Sequence, residues 1–226
     1  MIPATVGTST SVTKAKILDT AEKLFGDNGF DATSLRDITT EAQVNLAAVN
    51  YHFHSKESLI DAVIARRMAP LTRRRLEMLD AAGPNPALEQ VIEAFVSPLM
   101  EAPQLHSLHL IGRVFASPDQ FVVRVFEKHI LPVVRRFSEA LATAAPHLTA
   151  EERYWRMQFM AGSMAHLLAL WGILPMMSGG LIQKMDQNDL IPRLVAFLAA
   201  GFRAPSTATA SRAMNSSNAS NFSETH

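Results

Sequence analysis

Apolar residues in this chain recur at three- and four-residue spacing along most of its length, and that period limits the fold more than any other feature. Ile17, Leu18, Ala21, Leu24 and Phe25 form one stripe; Leu59, Ile60, Val63 and Ile64, continued by Leu76 and Leu79, form another. A 3.6-residue period puts such side chains on one helix face, and each face is buried only by packing on other helices. Period-two alternation and hairpin turns are absent, so the expected fold is all-α.

Helix start and stop signals set the order. Residues 1–11 are rich in Thr, Ser and Gly and are expected to be flexible. A helix beginning near Thr13 should stop at "DNGF", where Gly29 suits a left-handed C-terminal cap. In "ATSLRDITTEA", Thr33 or Ser34 can cap a short helix, with Asp37 at the capping-box position. "QVN" is a tight link whose Asn45 can cap a helix from Leu46. Ser55 can cap a long helix after it, in which Pro70 is a candidate kink. Beyond "AAGPNPA", helices are expected over 87–101, 105–116, 119–145, 149–178 and 187–202. The Ser/Thr/Asn-rich residues 203–226 are expected to be disordered. The domains expected are thus 12–58 and 59–202.

Composition removes several classes. With 48% hydrophobic residues the chain can bury a core, yet no run of 18 apolar residues occurs and no membrane span is expected. "MIPATVGTSTSVTKAK" lacks a secretory apolar region, and there is no cysteine for a disulfide, a thiolate zinc site or a nucleophile. A cytoplasmic protein is the expectation. GxSxG, HExxH, Walker and Rossmann signatures are absent, so neither enzyme chemistry nor a cofactor is expected. Twenty-one basic residues balance 21 acidic ones, and residues 1–60 carry a net charge of −2. No overall field draws the protein to nucleic acid, so such a role must rest on placement.

"VNLAAVNYHFHSKESL", residues 44–59, supplies that placement. Helix 35–42, turn 43–45 and helix 46–52 have the proportions of a helix-turn-helix, whose second helix enters the major groove. Val49 and Phe53 point inward at i and i+4, leaving Ala47, Ala48, Asn50 and Tyr51 mostly outward. Small Ala47 and Ala48 permit close approach to base edges. Asn50 can pair with an adenine edge, and Leu46 or Ala47 can touch a thymine methyl. Tyr51, His52, Lys56 and Arg36 have the reach for flanking phosphates, with Lys56 at a helix N-terminus. On these residues alone the alternative is an ordinary helical hairpin with a solvated Asn-Tyr-His face.

"ILDTAEKLF", "GFDATSLRDI", "VNLAAVNYHF" and "SKESL" stand in an order and spacing that strongly resemble the N-terminal domain of the TetR/AcrR family of transcriptional repressors. The resemblance covers about fifty residues. It departs at Gln43, where the family usually has Gly, at His54, where Gly or Lys is common, and at Asn50, a place often held by Tyr. It implies a homodimer binding the successive major grooves of a palindromic double-stranded operator. The DNA contacts it implies are Arg36, Leu46, Ala47, Ala48, Asn50, Tyr51, His52 and Lys56. With "PLTRRRLEMLDAA" downstream, the chain also looks similar to a PsrA-like branch that responds to fatty-acid-derived ligands.

The family's C-terminal domain implies a cavity for a small, largely apolar effector. Candidate lining residues are Phe95, Leu99, Leu110, Phe115, Phe121, Val125, Phe159 and Met160, since Met and Phe suit an elongated apolar molecule. Arg113 shares a helix face with His106 and His109; it needs an anionic partner, which is a ligand carboxylate or phosphate, Glu127, Glu139, or a backbone carbonyl. His106 and His109 lack carboxylates at matching spacing, so no metal site is expected. The family dimerises through its last two main helices, which places Gly162, Ser163, Ala165, Leu168, Trp171, Leu190, Leu194, Phe197 and Leu198 at the interface. The same residues also suit a plain core. Arg66, Arg67, Arg73, Arg74 and Arg75 read as a solvated helix face with stems over apolar surface. A helical lipid carrier without a DNA role, or an α-helical enzyme, is the competing function.

Overall fold

The computed structural model describes residues 6–100, 120–183 and 186–206. Within them lie α1 (Val6–Asn28), α2 (Leu35–Glu41), α3 (Leu46–Phe53), α4 (Lys56–Ala81), α5 (Leu88–Met100), α6 (Gln120–His129), α7 (Leu131–Ala144), α8 (Ala150–Ala169), α9 (Leu174–Met177) and α10 (Gln187–Arg203). No strand occurs among the described residues, and the protein is all-α. The described residues divide into two compact units, 6–73 with 120–132 and 74–100 with 133–206.

The first unit is built on the periodic stripes. Ile17, Ala21 and Phe25 of α1 meet Ile38 of α2, Val49 and Phe53 of α3, and Leu59, Ile60, Val63 and Ile64 of α4 in one buried cluster. Phe25 and Phe53 anchor it, and truncating a buried Phe to Ala typically costs about 3–5 kcal/mol. Gly29 closes α1 as expected: its φ is 93° and its N–H donates to the Phe25 carbonyl at 3.0 Å. The buried Thr33 hydroxyl bonds the Gly29 carbonyl at 2.8 Å and braces the turn into α2. Ion pairs tie α1 to α4, because Arg66 meets Asp19 at 2.7 Å and Glu22 at 2.5 Å, and Arg67 also reaches Glu22. From α6, Lys128 and His129 hold Asp61 of α4 at 2.8 and 2.6 Å.

In the second unit α5 is buried on nearly every side, and α10 packs along it and against α8. The side chain of Arg156 in α8 closes the end of α10. Its guanidinium donates to the carbonyls of Gly201 (2.6 Å), Ala204 (2.8 Å) and Pro205 (2.9 Å) and pairs with Glu152 at 2.7 Å. These are carbonyls a helix C-terminus leaves without partners, which makes a buried cation tolerable there.

Several boundaries differ from the expectations. α1 begins at Val6 rather than near Thr13, because a nucleated helix propagates through Ser and Thr without an apolar stripe. Residues 119–145 are not one helix: the chain turns at Ile130, since Pro132 has no N–H for the Lys128 carbonyl. Residues 149–178 likewise break after Ala169 in a turn containing Gly172, with the short α9 beyond it. Residues 203–206, expected to be disordered, are instead the end of α10 and its Arg156-bound continuation, with Ser206 buried. The expected helix 105–116 and the tail from 207 lie outside the described residues.

Candidate nucleic-acid interface

Backbone geometry at both ends of α3 determines what its outer face presents. At the start of α2 the Ser34 N–H donates to Asp37 Oδ2 at 2.8 Å, while the Asp37 N–H donates to Ser34 Oγ at 3.2 Å. This reciprocal capping box satisfies two orphan donors. The backbone and hydroxyl hydrogen bonds from Ser34 hold the Asp37 carboxyl below its ordinary value near 3.8. α2 then ends with Gln43 in the left-handed region, φ 51°. The Gln43 N–H donates to the Thr40 carbonyl at 3.2 Å and the Val44 N–H to the Thr39 carbonyl at 3.0 Å. That pair of bonds is a Schellman closure, which ordinarily uses Gly at this position. Gln43, where the resemblance marks Gly as usual, therefore holds a strained backbone.

Asn45 caps α3, its Oδ1 accepting from the Ala48 N–H at 2.7 Å. Val49 and Phe53 are buried, and α3 stops at His54, a second left-handed residue with φ 65°. Ser55 caps α4 by accepting from the Ser58 N–H at 3.1 Å. The helix is thus bounded by two left-handed residues and pinned from its inner side.

The opposite side carries most of the expected residues. Tyr51 is 73% exposed, Leu46 is 42% exposed, and Ala47, Asn50 and Arg36 are exposed with them. His52 is half-buried and sits edge-on to Tyr51 with ring centroids 5.1 Å apart. Ala48 departs from its outward placement, because it is half-buried against the core cluster. Lys56 is also half-buried, and its Nζ reaches the Asp31 carbonyl at 3.5 Å.

The arginine run is not the uniform solvated face expected. Arg73 and Arg74 are exposed, Arg66 and Arg67 are ion-paired to α1, and Arg75 is buried at 7% exposure. Burial pushes the Arg75 guanidinium down to about 10. Sequence reasoning placed Arg75 on a solvated face and did not single out Arg156, for which a signal existed in Glu152 four residues earlier on the same helix.

Of the effector-lining candidates, Phe95 and Met160 are buried and Leu99 is half-buried. Phe159 is 63% exposed on the outer face of α8, stacked on Trp155, and so does not share the interior with Met160. Leu110, Arg113 and Phe115 lie outside the described residues, as do the side chains of Phe121 and Val125. The dimer candidates split. Leu168, Leu194 and Leu198 are buried in the unit's own core, which corrects their assignment to an interface. Gly162, Ala165 and Phe197 are exposed, and Ser163, Trp171 and Leu190 half-buried. Tyr154 and Trp155, not anticipated, are 55% and 52% exposed on α8. No described helix is long and apolar enough to cross a membrane, and no group of three or more metal-ligating side chains occurs among the described residues.

Two family models match the chain: "Bacterial regulatory proteins, tetR family" over residues 17–63, and "Tetracyclin repressor-like, C-terminal domain" over residues 93–201. The HTH-type transcriptional repressor Rv3405c of Mycobacterium tuberculosis is 35% identical over 79 residues, 35% of this chain and 40% of that protein. The HTH-type transcriptional regulator UidR of Escherichia coli is 28% identical over 95 residues, 42% of this chain and 47% of that one. The chain thus spans less than half the length of these curated relatives. A TetR-family regulator from Bordetella parapertussis shares the fold, with a TM-score of 0.62 and 17% identity over 82% of this chain and 93% of that one. The fatty acid degradation regulator FadR of Bacillus halodurans has a TM-score of 0.61 at 16% identity, covering 84% of this chain and 96% of its own.

Proposed function

Because the chain belongs to the TetR family of bacterial regulators, we propose that it is a transcriptional repressor that binds a palindromic operator as a homodimer and is released by a small, largely apolar effector. The observation that carries the DNA role is the outer face of α3, where Leu46, Ala47, Asn50 and Tyr51 are exposed on a helix locked from its inner side by Val49 and Phe53. A helical carrier has no use for a capped, two-turn helix with Asn and Tyr outward. In this reading Leu46, Ala47 and Asn50 read base edges, with Ala48 allowing close backbone approach. Arg36, Tyr51, His52 and Lys56 hold phosphates. The exposed Trp155, Phe159, Gly162, Ala165 and Phe197 form the dimer face. Phe95, Leu99 and Met160 contribute to the effector region of the C-terminal unit. Release follows from linkage: an effector that favours the arrangement unable to span both half-sites lowers operator affinity by its differential affinity.

The test is a salt-series titration of the protein on the DNA upstream of its own gene against scrambled DNA. Specific binding with a steep salt slope is expected. Tyr51→Ala should weaken it about tenfold, or ~1.4 kcal/mol, with the circular dichroism unchanged. Equal affinity for both DNAs, repeated in a selection from genomic fragments, would sink the DNA role and leave the carrier.

A further inference from the structure

Resting on the reading of the C-terminal unit as effector-binding, we propose that Arg75 is the anion-binding residue of the effector site and that the effector is a monocarboxylate with an apolar body. Arg75 sits near the end of α4 with its guanidinium 4.2 Å from the Phe95 ring centroid, and its Nε donates to the Phe95 carbonyl at 2.8 Å. That leaves both terminal nitrogens of a 7%-exposed cation with no hydrogen-bond partner among the described residues. The acids that share α4 and α5 with it in this unit are otherwise placed. Asp80 pairs with Arg136, Glu89 pairs with Arg203, and Glu77 and Glu93 are exposed. Burial accounts for the drop in the Arg75 pKa, and no carboxylate among the described residues opposes it.

A buried cation without a counter-ion is an arrangement that an incoming anion completes. The two free terminal nitrogens form the planar fork that matches a carboxylate in bidentate geometry. One negative charge neutralises the site, whereas a dianionic phosphate would leave a net charge in the same apolar surroundings. Those surroundings define the rest of the ligand. The Phe95 ring packs edge-on against the fully buried Phe137 with centroids 5.1 Å apart. One turn further along the same face of α5, Leu99 is half-buried. The head group therefore meets a guanidinium and the body meets aromatic and aliphatic carbon.

Isothermal titration of the full chain with octanoate and with 1-octanol tests this directly. Octanoate should bind at least tenfold more tightly than the alcohol, and Arg75→Met should abolish the difference while the melting curve remains cooperative. Arg75→Lys, which keeps the charge and loses the fork, should give an intermediate preference; it serves if the Met variant does not fold. Octanoate binding no tighter than octanol, no binding of either, or an undiminished preference in a folded Arg75→Met protein would each overturn the site. Operator binding without ligand is read separately: if it is intact while octanoate shows no preference, the carboxylate site falls and the regulator stands.

Discussion

Gln43 holds a left-handed backbone that an L-residue adopts at a penalty of about 1 kcal/mol or more, and glycine adopts it freely. Gln43→Gly should therefore stabilise the protein by ~0.5 kcal/mol net of the added unfolded-chain entropy, seen as a higher urea midpoint with an unchanged slope. A lower midpoint would mean that the Gln side chain makes compensating contacts. This strain was legible in the sequence, because the resemblance marks the position as one where Gly is usual. Asp37 gives a second test at this scale. Its carboxyl is held below its ordinary value, so it contributes stability that is present above the unfolded pKa and is lost as pH falls through the lower folded one. The difference in melting temperature between wild type and Asp37→Asn should accordingly shrink as pH is taken below about 4. A gap that is constant from pH 6 to 3 would remove the capping carboxylate from the account. The burial of Arg75 was not legible in this way, since only tertiary neighbours decide it; for Arg156 the sequence offered Glu152 as a partner but not the carbonyls at the end of α10.

At the N-termini of α2, α3 and α4 the local signals agree with the structure: of Thr33 and Ser34 it is Ser34 that caps, and Asn45 and Ser55 accept the N–H bonds their positions imply. Local chemistry settles such ends, so they survive into the fold unchanged. The stretches 119–145 and 149–178 were read too long because apolar spacing continues across Ile130 and Leu170, while Pro132 and Gly172 act on the backbone alone. The faces of α8 and α10 show the same limit from another side. Leu194 and Leu198 look like Phe197 to a composition count, yet the first two are buried and Phe197 is 70% exposed, because one residue turns a helix by about 100°. Phe197→Glu should therefore convert the proposed dimer to monomer in sedimentation at micromolar concentration, with helicity retained. A dimer that persists through Phe197→Glu and Phe159→Glu together would place the interface elsewhere.

Across the whole molecule, 21 basic and 21 acidic residues give no net charge that would attract DNA, so in the proposed reading operator affinity rests on placed contacts, and its fall with salt counts the phosphates they neutralise. The two left-handed residues that bound α3 have a consequence of another kind. They hold the helix to eight residues, which at 1.5 Å per residue is about 12 Å, the length of roughly three to four base pairs. An address that short recurs many times among the ~10⁶ or more positions of a genome. In the proposed reading a single copy of this chain therefore cannot name a gene, however well Leu46 and Asn50 fit their bases. If the chain reads DNA as the proposed dimer, the spacing between two copies supplies the missing letters, and whatever alters that spacing erases more of the address than the loss of any one reading side chain.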